Sequence, residues 1–127
     1  MTHVPASLVV SGPAEPETLC VFRAVASSVA SRADMTLESI DELKIVVDEA
    51  ATMLLRAGAP QRLDLILEPN GGTIRTTLTS DGAVRDWPGD RTTGWSWRVI
   101  RQLAREAACR AGERGPEVTF VMSTDAR

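Results

Sequence analysis

Apolar residues recur along this chain with two periods. Between Thr36 and Ala57, Ile40, Leu43, Val47, Ala50 and Leu54 return every three or four residues, the spacing of a helix buried along one stripe. Ser39 followed by Glu42 fits a capping box, and Thr36 offers a second cap. Gly58 and Pro60 end the pattern. Leu19, Phe22, Ala26 and Val29 repeat the helical spacing between Glu17 and Arg32, with Pro16 placed for a first turn. A third helix is predicted over Trp95–Ala111, with Ile100, Leu103 and Ala107 inward.

Elsewhere the period drops to two. Leu63, Leu65 and Leu67 alternate with polar neighbours in Arg62–Glu68, and Ile74, Thr76 and Leu78 do so in Thr73–Thr79. Pro69-Asn70-Gly71-Gly72 between them reads as a turn, so the two form an antiparallel hairpin. Ala6–Ser11 is a short first strand. Val118, Phe120 and Met122 alternate in Glu117–Met122, the last strand. Asp81–Gly94 has no period, and loops of that length in small domains are uncommon and often functional.

The predicted order is β-α-α-β-β-α-β. Helices need a sheet face to cover, so the expected fold class is an α+β two-layer sandwich with three helices on one face. Residues 1–127 read as a single domain, long enough to bury a core. Aromatic residues are only 4% of the chain, so that core must be built from Val, Leu, Ile, Ala and Met.

Charge narrows the functional classes. A formal net charge of −3 argues against a nucleic-acid partner. No apolar run approaches the ~20 residues that span a bilayer. The first residues lack a basic start followed by an apolar stretch, so no signal peptide is read and a cytoplasmic protein is expected. Cys20 and Cys109 lie far apart within helical patterns and are expected to be free, buried thiols rather than a disulfide or redox pair. His3 is a poor metal candidate in a terminal segment, and no metal site is expected.

One stretch carries candidate chemistry: 42-ELKIVVDEAATMLL-55. With the predicted element order, it resembles the second helix of GHKL (HATPase-type) proteins, and more closely the anti-sigma-factor serine kinases of the RsbW and SpoIIAB type. The family pattern is approximately L-x-x-A-V-x-E-A-x-x-N, matched here by Leu43, Val46, Val47, Glu49 and Ala50, with Met53 at the Asn position. The segment 94-GWSWRVIRQLAREA-107 is similar to the family's G-x-G and third helix. Among relatives the divergent actinobacterial anti-sigma-F branch looks most similar.

The resemblance implies a site. Glu49 takes the place of the general base, and Asn four residues later would ligate magnesium from the same helix face. Met53 offers a thioether instead, which suits a hard cation poorly. Asp81-Gly82-Ala83-Val84-Arg85 falls where the family has the adenine-reading D-x-G-x-G, keeping Asp81 and Gly82 but not the second glycine. Gly94-Trp95-Ser96 falls on the phosphate-binding G-x-G with one glycine lost. The implied nucleotide site, Glu49 with Asp81, Gly82 and Gly94, is therefore degenerate. Glu49 is either a vestigial base or a carboxylate at a cleft rim paired with an arginine, and Met53 fills core.

The function implied by the resemblance is that of an anti-sigma factor. Such a protein sequesters an alternative sigma factor and is released by exchange with a STAS-type anti-anti-sigma protein. The resemblance further implies a homodimer; because the nucleotide motifs depart from the family pattern, no cofactor is expected, with ATP and magnesium left as the alternative. The alternative it leaves open is an ATP-dependent serine kinase acting on that antagonist. Arg23 matches in position an arginine that anchors the sigma factor in relatives. Arg98, Arg101 and Arg105, spaced three and four apart, form either a solvated basic face or a contact for an acidic patch on a partner. Trp87, Trp95 and Trp97 either plug the emptied pocket or take part in binding, with Trp97 expected to be the most buried.

Overall fold

The computed structural model describes residues 7–125. Ala6 and His3 lie outside them. Five strands and three helices follow one another as β1 (Leu8–Pro13), α1 (Pro16–Arg32), α2 (Leu37–Leu55), β2 (Arg62–Asn70), β3 (Thr73–Ser80), α3 (Trp95–Leu103), β4 (Glu106–Ala111) and β5 (Pro116–Ser123). A short 3-10 turn, Gly89–Thr93, precedes α3. The strands form one antiparallel sheet in the order β1-β2-β3-β5-β4. The two-layer α+β architecture is the expected one.

Period two decides which side of the sheet meets the helices. Leu65 pairs with Val10 and Leu78, and Leu78 pairs with Val118, so this row points to one face. Leu63, Leu65, Leu67, Ile74 and Leu78 are wholly buried there. They meet Phe22 and Ala26 of α1, Leu43, Val47, Ala50 and Leu54 of α2, and Ile100 of α3 in one core. Each such large side chain contributes roughly 1.5–3 kcal/mol by leaving water. Gly71 and Gly72 both take positive φ, 34° and 84°, in the two-residue turn between β2 and β3. That geometry matches the strand twist and suits glycine.

The other face of the sheet carries no helix and is mostly polar. Among the described residues its one deeply buried charge is Asp64, 4% exposed. The Asp64 carboxylate accepts hydrogen bonds from Ser11 of β1 at 2.5 Å, from Arg62 at 3.0 Å and from Arg114 in the β4–β5 turn at 3.2 Å. These contacts tie one edge of the sheet to the turn at the other. Burial drives the Asp64 pKa upward. The Ser11 hydrogen bond and the two guanidiniums outweigh that, and the group lies below the ordinary carboxylate range.

Four expectations need correction. Helix three does not reach Ala111: α3 ends at Leu103, and Ala104 turns extended with φ −84° and ψ 150°. The Arg105 N–H then donates to Val121 O, and Glu106–Ala111 runs as β4 along β5. Alanine-rich EAACRA has helical propensity, but the exposed ladder of β5 offers hydrogen bonds that a longer helix would leave unmade. Arg105 therefore does not share a helix face with Arg98 and Arg101. At the start of α2, Thr36 is the cap, its hydroxyl accepting from Ser39 N–H at 3.1 Å. The Ser39 hydroxyl instead donates to Asp125 O at 3.0 Å. Both cysteines are free, but Cys20 is exposed and Cys109 half-buried, where both were expected to be buried.

Candidate functional site

Helical spacing places Glu49, Thr52, Met53 and Arg56 on one side of α2, at i, i+3, i+4 and i+7. That side faces the start of α3. Together with Arg91, Gly94, Trp95 and Ser96, these residues line an open pocket of about 430 Å3. The Glu49 carboxylate accepts a hydrogen bond from the Ser96 hydroxyl at 2.7 Å. Met53 is 5% exposed and belongs to the core cluster. The Thr52 hydroxyl donates to Asp48 O at 2.8 Å. Gly94 caps α3 in extended conformation, with no side chain closing the helix end.

The structure brings Glu49 and Gly94 together, as the sequence motifs imply. It places Asp81 and Gly82 elsewhere. The Asp81 carboxylate accepts from the backbone N–H groups of Gln61 and Arg62, at 2.8 and 3.1 Å. Those bonds hold its pKa below the usual value. Gly82 is buried against the end of α2, where an added Cβ would stand 2.5 Å from Ala57 O. Its glycine is needed for that close approach.

Arg23 is not a free surface cation. Its guanidinium donates to Asp48 Oδ1 on α2 at 2.7 Å and to Cys20 Sγ at 3.2 Å. The hydrogen bond and the charge of Asp48 raise the Arg23 pKa above its already high value. Arg98 and Arg101 are exposed on α3, while Arg105 lies beyond it, lining a groove with Glu68, Arg75 and Glu106. Trp95 is 71% exposed, and Trp87 and Trp97 are half-buried. Trp97 is half-buried, as is Trp87, whose indole N–H donates to Glu117 O at 3.1 Å.

Sequence reasoning missed two arginines of the pocket. Arg56 was legible as the i+7 partner of Glu49. Arg91 was not, because it comes from a loop without a period. It is held by Asp86 O at 3.1 Å and Pro88 O at 3.3 Å, with its guanidinium 5.6 Å from the Trp87 ring centre.

An antiparallel sheet backed on one face by helices, with a carboxylate of the second helix facing the start of the third, defines a GHKL ATPase-like fold. The family model of the histidine kinase-like ATPase domain matches residues 12–122, and the chain belongs to that family. Among curated proteins it is similar to the anti-sigma-F factor RsbW of Mycobacterium tuberculosis, strains CDC 1551 / Oshkosh and ATCC 25618 / H37Rv. Each is 25% identical over 105 residues, which cover 80% of this chain and 60% of the relative. The chain spans about three-fifths of those relatives' length. No helix among the described residues is long and apolar enough to cross a membrane.

Proposed function

We propose that this protein is an anti-sigma factor that acts by binding and sequestering an alternative sigma factor in the cytoplasm. The observation that carries this reading is the family match over residues 12–122, joined to similarity with a protein named as an anti-sigma-F factor. Arg23 of α1 supplies a cation for an acidic partner, with Arg98 and Arg101 of α3 and Arg105 at the sheet edge as further, separately placed contacts. A STAS-type anti-anti-sigma protein releases the sigma factor by exchange. Two copies pair through the helix-free face of the sheet, where Val9 is 54% exposed beside half-buried Ile66.

Binding in this reading does not depend on magnesium and ATP, because the pocket residues do not fit that cofactor. Met53 puts a thioether where the metal needs oxygen. The Glu49 carboxylate already holds the Ser96 hydroxyl, and Asp81 is engaged by two backbone amides away from the pocket. Glu49 is then a vestigial base, and Asp81, Gly82 and Gly94 persist in packing and capping roles.

The test is affinity capture on the immobilised chain, with and without magnesium-ATP, followed by mass spectrometry. Recovery of an RNA polymerase sigma factor under both conditions is expected. Recovery of none would sink the proposal. A second reading, an ATP-dependent serine kinase, is favoured by one observation: Glu49 still lines a pocket with Arg56 and Arg91 at the start of α3. Micromolar, magnesium-dependent ATP binding by titration calorimetry would favour that reading over the first.

A further inference from the structure

Trp95 stands between two recesses. On one side lies the Glu49 pocket, with Arg56 and Arg91 on its wall. On the other is a shallow groove along the outside of α3, lined by Trp95, Trp97, Arg98, Val99, Arg101 and Gln102. Arg56 from the end of α2, Arg91 from the 3-10 turn, and Arg98 and Arg101 from α3 therefore surround an indole that is 71% exposed.

The charge here opposes that of the whole molecule. The chain carries −3, yet its segment from Arg85 to Arg105 holds five arginines against two aspartates. The ion pairs of the described residues engage Arg23, Lys44, Arg62, Arg110 and Arg114; none engages Arg56, Arg91, Arg98 or Arg101. Tryptophan and arginine together are the residue types that dominate binding hot spots. Arginine also carries a planar fork that takes a carboxylate bidentately.

We infer that the stripe Arg56–Arg91–Trp95–Arg98–Arg101 is a docking surface for an acidic segment of a protein partner, separate from the Arg23 face of α1. Trp95 packs against an apolar side chain of that segment, and the four guanidiniums take its flanking carboxylates. A nucleic acid fits less well. The exposed Asp86 and Asp90 flank the stripe in sequence and repel a continuous polyanion, whereas a peptide places its charges locally. The inference rests on the reading that this chain works by binding protein.

The probe is a fluorescein-labelled twelve-residue peptide with two central leucines, two glutamates on either side of them and serine and glycine elsewhere, followed by anisotropy. Binding by the full chain should weaken at least tenfold between 50 and 300 mM salt, at a scale set by screening of surface charge. Arg98→Glu with Arg101→Glu should weaken it at least tenfold, and Trp95→Ala at least fivefold. Arg110→Glu, on the far strand and paired with Glu117, should leave it within twofold. All three α3 changes are on half- to fully exposed positions, and circular dichroism of each variant checks that the fold is kept.

No binding to 1 mM peptide, equal loss in the Arg110→Glu control, or tighter binding of a twelve-nucleotide single strand than of the peptide would each overturn the inference. So would a concentration-dependent dimer, seen by sedimentation, that both α3 variants abolish. The broader reading fails separately. Sigma-factor capture that survives the α3 changes but not Arg23→Glu, with no peptide binding, removes this surface and leaves the function standing.

Discussion

Replacing Arg23 by glutamate separates a structural role from a recognition role, because the structure sizes the first. Arg23 and Asp48 sit 2.7 Å apart with side chains 33% and 37% exposed. A pair this exposed is worth about 0.3–1 kcal/mol. Arg23→Glu removes it and sets two carboxylates side by side, for a total loss of about 1–1.5 kcal/mol. In a domain of this size that lowers Tm by roughly 3–8 °C. Asp48→Ala removes the same pair but leaves the cation on α1. Both variants should therefore unfold at lower temperature, Asp48→Ala by the smaller amount. Partner affinity should separate them. If Arg23 contacts the sigma factor, Arg23→Glu weakens binding at least about tenfold, or 1.4 kcal/mol. Asp48→Ala should change it less than about threefold. The assay is surface plasmon resonance at 25 °C, far below either Tm, against the captured sigma factor. Equal affinity losses in the two variants would refute the reasoning, since the ion pair alone would then account for the effect.

Asp64→Ala should destabilise by about 1–3 kcal/mol in urea unfolding, because it removes hydrogen bonds to a buried charge. The cost stays below that of a fully buried pair because Arg62 and Arg114 are 58% and 61% exposed and return to water. The folded pKa of Asp64 is lowered, so its contribution is present above about pH 4, the ordinary carboxylate value, and is lost as pH falls further. The gap between wild type and Asp64→Ala should narrow on that acid side and stay flat above it. Gly82→Ala should cost about 1–3 kcal/mol by overpacking against Ala57 O, with the loss read as a shift in urea midpoint. Iodoacetamide at pH 8 should label exposed Cys20 first. Burial pushes the Cys109 thiol up to about 11, leaving roughly one part in a thousand as thiolate, so its labelling should wait for denaturant.

The two periods carried most of the fold. The stripes of α1 and α2 and the alternation of β2, β3 and β5 were each visible because a burial face imposes its period on the residues that line it. β4 was not visible. Its Glu106, Ala108 and Arg110 alternate with Ala107 and Cys109, but alanine is small enough to serve on either a helix or a half-covered edge strand, so the alternation carries little contrast. What made it a strand was the open edge of β5, which follows it across a short turn and offers backbone partners that a longer α3 could not use. The pocket was legible in part for the same reason. Glu49, Met53 and Arg56 share a helix face, and spacing alone relates them. Asp48 and Arg23 meet across two helices, and Asp81 meets the amides before β2, contacts that no local pattern encodes.

Under the proposed function, this chain binds a sigma factor without help from magnesium and ATP. Titration calorimetry of the captured sigma factor into the full chain, with 1 mM magnesium-ATP and with 1 mM EDTA and no nucleotide, tests it most directly. The same Kd within about twofold is expected in the two buffers. A Kd at least tenfold tighter with magnesium-ATP, or no binding in its absence, would contradict it.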